Sequence, residues 1–282
     1  MKGVFTSPIN VPSQNDYDLA AADIDQLDIT DLEAALACME SLKPRLVINC
    51  AAYTDVNGCE TNAELAFKVN ALGPRNLALG CARQGAALVH FSTDYVFDGE
   101  KGRPYAENDA PNPLNIYGKS KLEGENHIKD NLSRFFIIRT QWLFGQHGKN
   151  FVDTILTMGA EGKEIRVVND QFGSPTYAKD LCLAVRGLIN TQNYGTYHIT
   201  NQGVTSWYGF AKEIFRQAGK SGVAIKPCSA EDYPSPAKRP KYSALKNSLP
   251  GPYKMPPYEE ALSGYLKNAG RLAASTLNES HE

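Results

Sequence analysis

Before Gly58 the chain holds a single glycine, Gly3. That scarcity excludes from this stretch the glycine-rich turn that lets backbone amides close on a phosphate at a helix start, and no Gly-x-Gly-x-x-Gly occurs later to replace it. Also missing is any apolar run of about 18 residues, the length needed to cross a membrane. The opening "MKGVFTSPINVPSQ" has no apolar core of signal-peptide length, so a cytoplasmic location is expected. Basic residues form no cluster and the net charge is −2, which leaves no field to attract nucleic acid. The six cysteines, Cys38, Cys50, Cys59, Cys81, Cys182 and Cys228, show neither Cys-x-x-Cys spacing nor neighbouring histidines. Zinc and a disulfide framework are therefore unsupported, and reduced, mostly buried thiols are expected. The acidic residues show no spacing that suits Mg²⁺.

What the chain does have is 282 residues, 42% of them hydrophobic and 21% charged, enough to bury a large core. Short apolar runs alternate with longer segments of helical period, the pattern of βαβ units around a parallel sheet. Strands are expected at 18–24, 45–51, 86–92, 134–140 and 164–168. Helices are expected at 30–41, with Thr30 as N-cap and Glu33 closing a capping box, at 61–84 with a break near Gly73-Pro74, and at 115–129. Beyond about residue 145 the pattern is mixed, with helices at 149–161, 177–190, 205–218 and 257–269 and strands at 195–200 and 223–227. The Pro-rich run "EDYPSPAKRPKYS" at 231–243 reads as a loop. The expected fold class is α/β: a Rossmann-like, doubly wound parallel sheet over 1–145 and a smaller mixed α/β substrate-side part over 146–282, with interleaving of the two left open. Ligands of such a fold bind beyond the carboxyl ends of the strands.

At one such end stand Ser92, Thr93, Asp94 and Tyr95, two hydroxyls followed by a carboxylate and a phenol. Further on, Tyr117 and Lys121 lie one helical turn apart and share a helix face. A lysine ammonium beside a phenol is expected to lower the tyrosine pKa toward working pH, and Thr93 could polarise the carbonyl that the tyrosine protonates. Tyr-x-x-x-Lys alone decides nothing, because it recurs at Tyr208/Lys212 and Tyr242/Lys246. As an isolated triplet, Thr93 could simply end a strand, Tyr117 pack its ring and Lys121 face solvent.

The surrounding blocks choose among these readings. "LDITD" (27–31), "VINCAAYTDVNGCE" (47–60), "KVNALGPRNLA" (68–78), "FSTDYVFDG" (91–99), "YGKSKLEGE" (117–125), "RTQWLFG" (139–145), "NDQFGSPT" (169–176), "TSWYGFA" (205–211) and "AKRPKYSAL" (237–245) follow one another along the chain. In this order they resemble the dTDP-4-dehydrorhamnose reductase family of the extended short-chain dehydrogenase/reductase superfamily. The resemblance implies reduction of dTDP-4-keto-L-rhamnose to dTDP-L-rhamnose by hydride from NADPH or NADH, with a nucleotide sugar as partner and a homodimer left open. It also implies a catalytic set of Thr93, Tyr117 and Lys121, the last also holding the nicotinamide ribose. Asp28, Ile29, Ala51, Ala52 and Tyr53 match cofactor contacts, and Tyr95, Trp142 and Arg239 match positions near the sugar nucleotide. Asn70 corresponds to a structural asparagine, and Asn57 stands where the family often carries aspartate.

The glycine shortage departs from that family, whose first βα turn is Gly-x-x-Gly-x-x-Gly. The first βα unit therefore reads as truncated, with residues 1–14 either supplying a shortened strand or staying irregular. Without a phosphate cradle, NAD(P)H is expected to bind far more weakly than an intact turn allows. Titrating NADPH against the purified protein checks this, and tight, micromolar binding is the contrary result. A non-catalytic role, comparable to the regulatory subunit of methionine adenosyltransferase, is the alternative that the shortage brings in.

Overall fold

The computed structural model describes residues 18–271 except 163, 221 and 250–252. In chain order the first elements are α1 (Leu32–Leu42), β1 (Leu46–Asn49), α2 (Val56–Thr61), α3 (Ala63–Phe67), a π-helical turn (Lys68–Leu72) and α4 (Gly73–Gln84). Next come β2 (Ala87–Thr93), a 3₁₀ turn (Asp94–Val96), α5 (Ile116–Asn131), β3 (Phe135–Thr140), β4 (Leu143–Phe144) and α6 (Phe151–Ala160). The rest comprises β5 (Ile165–Val168), β6 (Phe172–Gly173), β7 (Thr176–Tyr177), α7 (Ala178–Ile189), β8 (Gly195–His198), β9 (Thr205–Ser206), α8 (Trp207–Gln217), β10 (Ile225–Cys228) and α9 (Tyr258–Asn268).

Strands β1, β2, β3 and β8 form one parallel sheet in the order β1-β2-β3-β8. Alternation along these strands sorts their side chains between two layers of helix. Leu88 and Ile137 point to one face, where they meet Met39 of α1, Leu77, Ala78 and Cys81 of α4 and Ile128 of α5. Val89, Phe136 and Ile138 point to the other, against Leu181, Ala184, Val185 and Leu188 of α7. The result is the doubly wound arrangement expected of the sequence. A second core gathers α6, α8 and α9 around Val152, Ile155, Phe210, Ile214, Leu262 and Tyr265, with Ile165 and Val167 of β5.

Several elements differ from expectation. Residues 18–24 form no strand: Leu19 and Ile24 are 46% and 70% exposed, and the Asp23 and Ile24 amides bond locally to the side chains of Gln26 and Asp23. A strand needs a neighbour, and among the described residues β1 pairs only with β2. The expectations for a glycine turn or a replacement strand at residues 1–14 lie outside the described residues. Helix α1 is capped by Asp31, which accepts from Ala34 N (3.1 Å), not by Thr30, whose own amide is drawn to Asp28 Oδ1 (2.8 Å). That one-residue shift leaves Glu33 outside any capping box. Strand β5 pairs with β10 in a separate two-stranded sheet, and the main sheet takes its fourth strand from β8 instead.

The helix expected at 61–84 is broken twice, at Asn62 and by the π turn ahead of α4. The extra residue in that turn places Asn70 inward, where its amide accepts from Tyr53 N (2.8 Å) and donates to Tyr53 O and Ser120 Oγ (both 3.1 Å). One buried carboxamide thereby ties the segment after β1 to α5. Helix α5 itself lies backbone against backbone on its neighbours. A Cβ on Gly118 would run into the Tyr95 carbonyl, and one on Gly124 into the Asn70 carbonyl. The glycines of "YGKSKLEGE" are thus required for close approach.

Candidate active site

Helix α5 begins at the carboxyl end of β2, and three contacts fix its start. Asn115 Oδ1 accepts from Gly118 N (2.8 Å), Asn115 Nδ2 donates to Lys238 O (2.8 Å), and Ile116 N donates to Glu60 Oε1 (2.8 Å). Tyr117, one residue into the helix, is thereby held beside the end of β2. Its ring meets Tyr95 edge-on, with centroids 5.9 Å apart, and the Thr93 side chain hydrogen-bonds its hydroxyl. Thr93 Oγ1 also donates to Asp94 Oδ1 (3.0 Å) and accepts from Tyr95 N (3.1 Å).

The electrostatics overturn one expectation. Burial raises the Tyr117 pKa above its ordinary value, the Asp94 carboxylate raises it further, and the Thr93 hydrogen bond opposes them. Lys121 does not lower it, because its amine points into the sheet: Nζ donates to Phe91 O (2.6 Å) and lies 3.2 Å from His90 Nε2. Helical spacing puts two residues on one face but leaves a long side chain free to choose its partner. Burial pulls Lys121 down to about 8, against the attraction of Glu125, and holds His90 well below its ordinary value. Hydrogen-bond geometry agrees. Asn49 Oδ1 accepts from Ala51 N (3.0 Å), so its Nδ2 donates to His90 Nδ1 (3.1 Å), which leaves the imidazole proton on Nε2 facing Lys121. The amine satisfies that arrangement once it has lost its proton, above about 8, when it accepts from His90 and donates to Phe91. Asp94 is the unassigned member of the cluster: burial pushes it up to about 7, against hydrogen bonds from Ser243 Oγ (2.5 Å) and Thr93.

The remaining residues singled out in the sequence fall in three places. Ala51, Ala52 and Tyr53 follow the carboxyl end of β1, with Tyr53 clamped by Asn70. Asp28 and Ile29 precede α1. Asp28 is held below its ordinary value by Thr30, through side-chain and backbone hydrogen bonds, and Ile29 packs against the core beneath α4. Arg239 hydrogen-bonds Tyr95, which brings the Pro-rich loop to the Tyr117 cluster. Its other partners are the Ser235 hydroxyl, Ala237 O (3.4 Å) and Asn57 Oδ1 (3.2 Å), and Asn57 also accepts from Ser235 Oγ (2.6 Å). All are neutral, and among the described residues Arg239 has no carboxylate partner. Trp142 adopts φ +47°, uncommon for a bulky residue, and its ring stacks on Trp207 with centroids 3.5 Å apart. Among the described residues no three His, Cys, Asp or Glu side chains gather as a metal site, and no helix is long and apolar enough to cross a membrane.

The model of the RmlD substrate binding domain matches residues 9–270. The chain belongs to that family. Among its relatives is a dTDP-4-dehydrorhamnose reductase of Mycobacterium tuberculosis, 42% identical over 236 residues, covering 82% of this chain and 77% of that protein. Another is the spore coat polysaccharide biosynthesis protein SpsK of Bacillus subtilis, 40% identical over 256 residues and 90% of each chain. A solved dTDP-4-dehydrorhamnose reductase from Bacillus anthracis, in complex with NADP, superposes with a TM-score of 0.85 at 43% identity, over 88% of this chain and 89% of its own. Within this family's fold, Asp94, Ser243, Asn57 and Ser235 are site neighbours that motif reading left without a role. Adjacency to Thr93 could have pointed to Asp94, and Ser235 stands four residues before Arg239, whereas Asn57 and Ser243 are distant in sequence from the groups they touch.

Proposed function

We propose that this chain reduces the 4-keto group of dTDP-4-dehydrorhamnose to the alcohol of dTDP-L-rhamnose, with NADPH as reductant. The observation that carries the reading is the contact between Thr93 and Tyr117 at the carboxyl end of β2, the place where a doubly wound sheet takes its ligand. The name of the relatives and the NADP in the Bacillus anthracis structure support substrate and cofactor respectively.

The residues present fit such a cofactor on two sides. The ionised Asp28 carboxylate suits ribose hydroxyls or an adenine amine, and the buried Lys121 amine, with no carboxylate bonded to it among the described residues, suits a ribose hydroxyl. Asp28, Ile29, Ala51, Ala52, Tyr53, Tyr117 and Lys121 would hold it, and when bound it supplies the hydride. The protein supplies the proton: the Tyr117 hydroxyl gives it to the oxygen that gains negative charge, and Thr93 donates to the same oxygen. Arg239 meets the diphosphate through paired donors, and Tyr95 and Trp142 offer aromatic faces to the sugar nucleotide. A homodimer, which rests on the resemblance alone, and a cytoplasmic location belong to the same proposal.

The test is oxidation of NADPH followed with and without dTDP-4-dehydro-L-rhamnose. A rate that depends on the sugar nucleotide supports the reading, and its absence overturns it. Asn57→Asp adds a second check. A carboxylate at this position pairs with Arg239 and takes its charge from the diphosphate, so KM for the nucleotide sugar is expected to rise about three- to tenfold. KM for NADPH should stay put, as steady-state kinetics would show.

A further inference from the structure

Strand β3 ends one residue before a buried side chain with nothing to bond. Gln141 is 3% exposed, and neither Nε2 nor Oε1 of its carboxamide has a hydrogen-bond partner among the described residues. The hydroxyl of Thr140, also buried, shares that condition. Leaving such atoms unpaired is costly, and buried polar groups are paired in the great majority of cases. An apolar residue would fill the space at lower cost. Place matters as much as cost: Thr140 pairs in register with Thr93 on the adjacent strand, so Gln141 starts where the neighbouring strand turns into Asp94. Parallel strands lie about 4.8 Å apart, a span that a single sugar ring bridges. The amide oxygen faces Gly173, where a Cβ would approach to 2.5 Å, so the glycine of "NDQFGSPT" leaves room for it. The next residue is Trp142 in its left-handed conformation, and strained backbone persists where the surroundings impose it, often beside a bound ligand.

We propose that Gln141, with Thr140 beside it, reads ring hydroxyls of the sugar whose keto group is presented to Thr93 and Tyr117. A carboxamide both donates and accepts, which matches a hydroxyl better than it matches a phosphate, so the assignment is to the sugar and not to the nucleotide. The proposal rests on the nucleotide-sugar reading above.

Gln141→Leu removes the polar atoms and nearly keeps the volume, and Gln141→Met serves the same purpose should the branched side chain not fit. Calorimetric titration of each protein with dTDP and with dTDP-L-rhamnose needs no turnover. Affinity for dTDP-L-rhamnose is expected to fall about tenfold to a hundredfold while dTDP binds unchanged. The thermal midpoint should hold or rise, because no unpaired polar atom remains at this position. Variants that bind dTDP-L-rhamnose as tightly as the wild type overturn the role of Gln141 and leave the nucleotide-sugar reading standing. A wild-type protein that binds neither compound sinks both.

Discussion

Tyr117→Phe is expected to cut turnover about a hundredfold to ten-thousandfold, the usual worth of a positioned proton donor. Binding of dTDP-L-rhamnose should change little, because the ring that meets Tyr95 is kept. The environment of Tyr117 sharpens the forecast. Burial and Asp94 hold its pKa above the ordinary phenol value, so the hydroxyl stays protonated at neutral pH and acts as the acid without any need to regain a proton first. A pKa raised in this way keeps the donor form present at every pH below it. Loss of rate on the acid side must then come from other groups: Lys121, at about 8, gains a proton first, and Asp94, at about 7, follows. A pH profile of kcat for wild type and Thr93→Val tests that order. A phenylalanine variant with wild-type turnover would remove Tyr117 from the chemistry.

Much of this was legible beforehand, and the illegible parts have physical causes. The short apolar runs in "ALVHFST" and "RFFIIRT" announced buried parallel strands, because both faces of such a sheet are covered. "YGKSKLEGE" announced the helix that carries Tyr117 and Lys121, while the close approach that its two glycines allow shows only in the fold. The direction of Lys121 was not legible: its flexible side chain has partners, His90 and Phe91, that come from a strand some thirty residues earlier. Nor was the fate of 18–24, whose composition suits a strand but whose pairing depends on a neighbour. Gln141 and Asn57 carry no sequence pattern, because each acquires meaning only from what the fold sets beside it.

The second large effect concerns stability. Arg139→Met is expected to destabilise the fold by about 3–5 kcal/mol, since it strands a buried carboxylate. Glu125 is fully buried, and Arg139 reaches it with two bonds, Nε to Oε1 at 2.9 Å and Nη2 to Oε2 at 2.7 Å. Ser92 Oγ adds a third at 2.6 Å, and Lys129 Nζ stands 3.3 Å from Oε2. Domains are stable by about 5–15 kcal/mol, so the loss removes a large share. Replacing Glu125 and Arg139 together by methionine should recover much of it, because an apolar pair leaves no charge unmatched. Denaturant midpoints for wild type, single and double variants decide the matter, and a double variant no better than the single would exclude this account.

The same cluster predicts acid sensitivity. His198 donates from Nδ1 to Tyr105 O (2.9 Å) and offers Nε2 to Arg139 (3.4 Å), the pattern of a neutral imidazole. Burial, opposed by Glu107, brings its pKa down to about 4. A folded value below the unfolded one means that the contribution to stability is complete above about 6.5 and is lost as pH falls toward 4. Burial works to raise the Glu125 pKa, but the bonds and charge of Arg139 outweigh it and leave the value lowered, so its own contribution drains away further into the acid range. Unfolding midpoints measured from neutral pH down to pH 4 should therefore fall in the wild type and fall less in the double variant.

Gly118 and Gly124 carry one more implication. Both keep ordinary helical backbone, so what they contribute is proximity and not freedom. The place of the proton donor is thus inherited from main-chain contacts, which do not change when surface side chains do. The outward side of α5, with Lys119, Glu123, Asn126 and Asp130, is free to drift over generations or to take a label or a tether, while the phenol on its inner side stays in register with the end of the sheet.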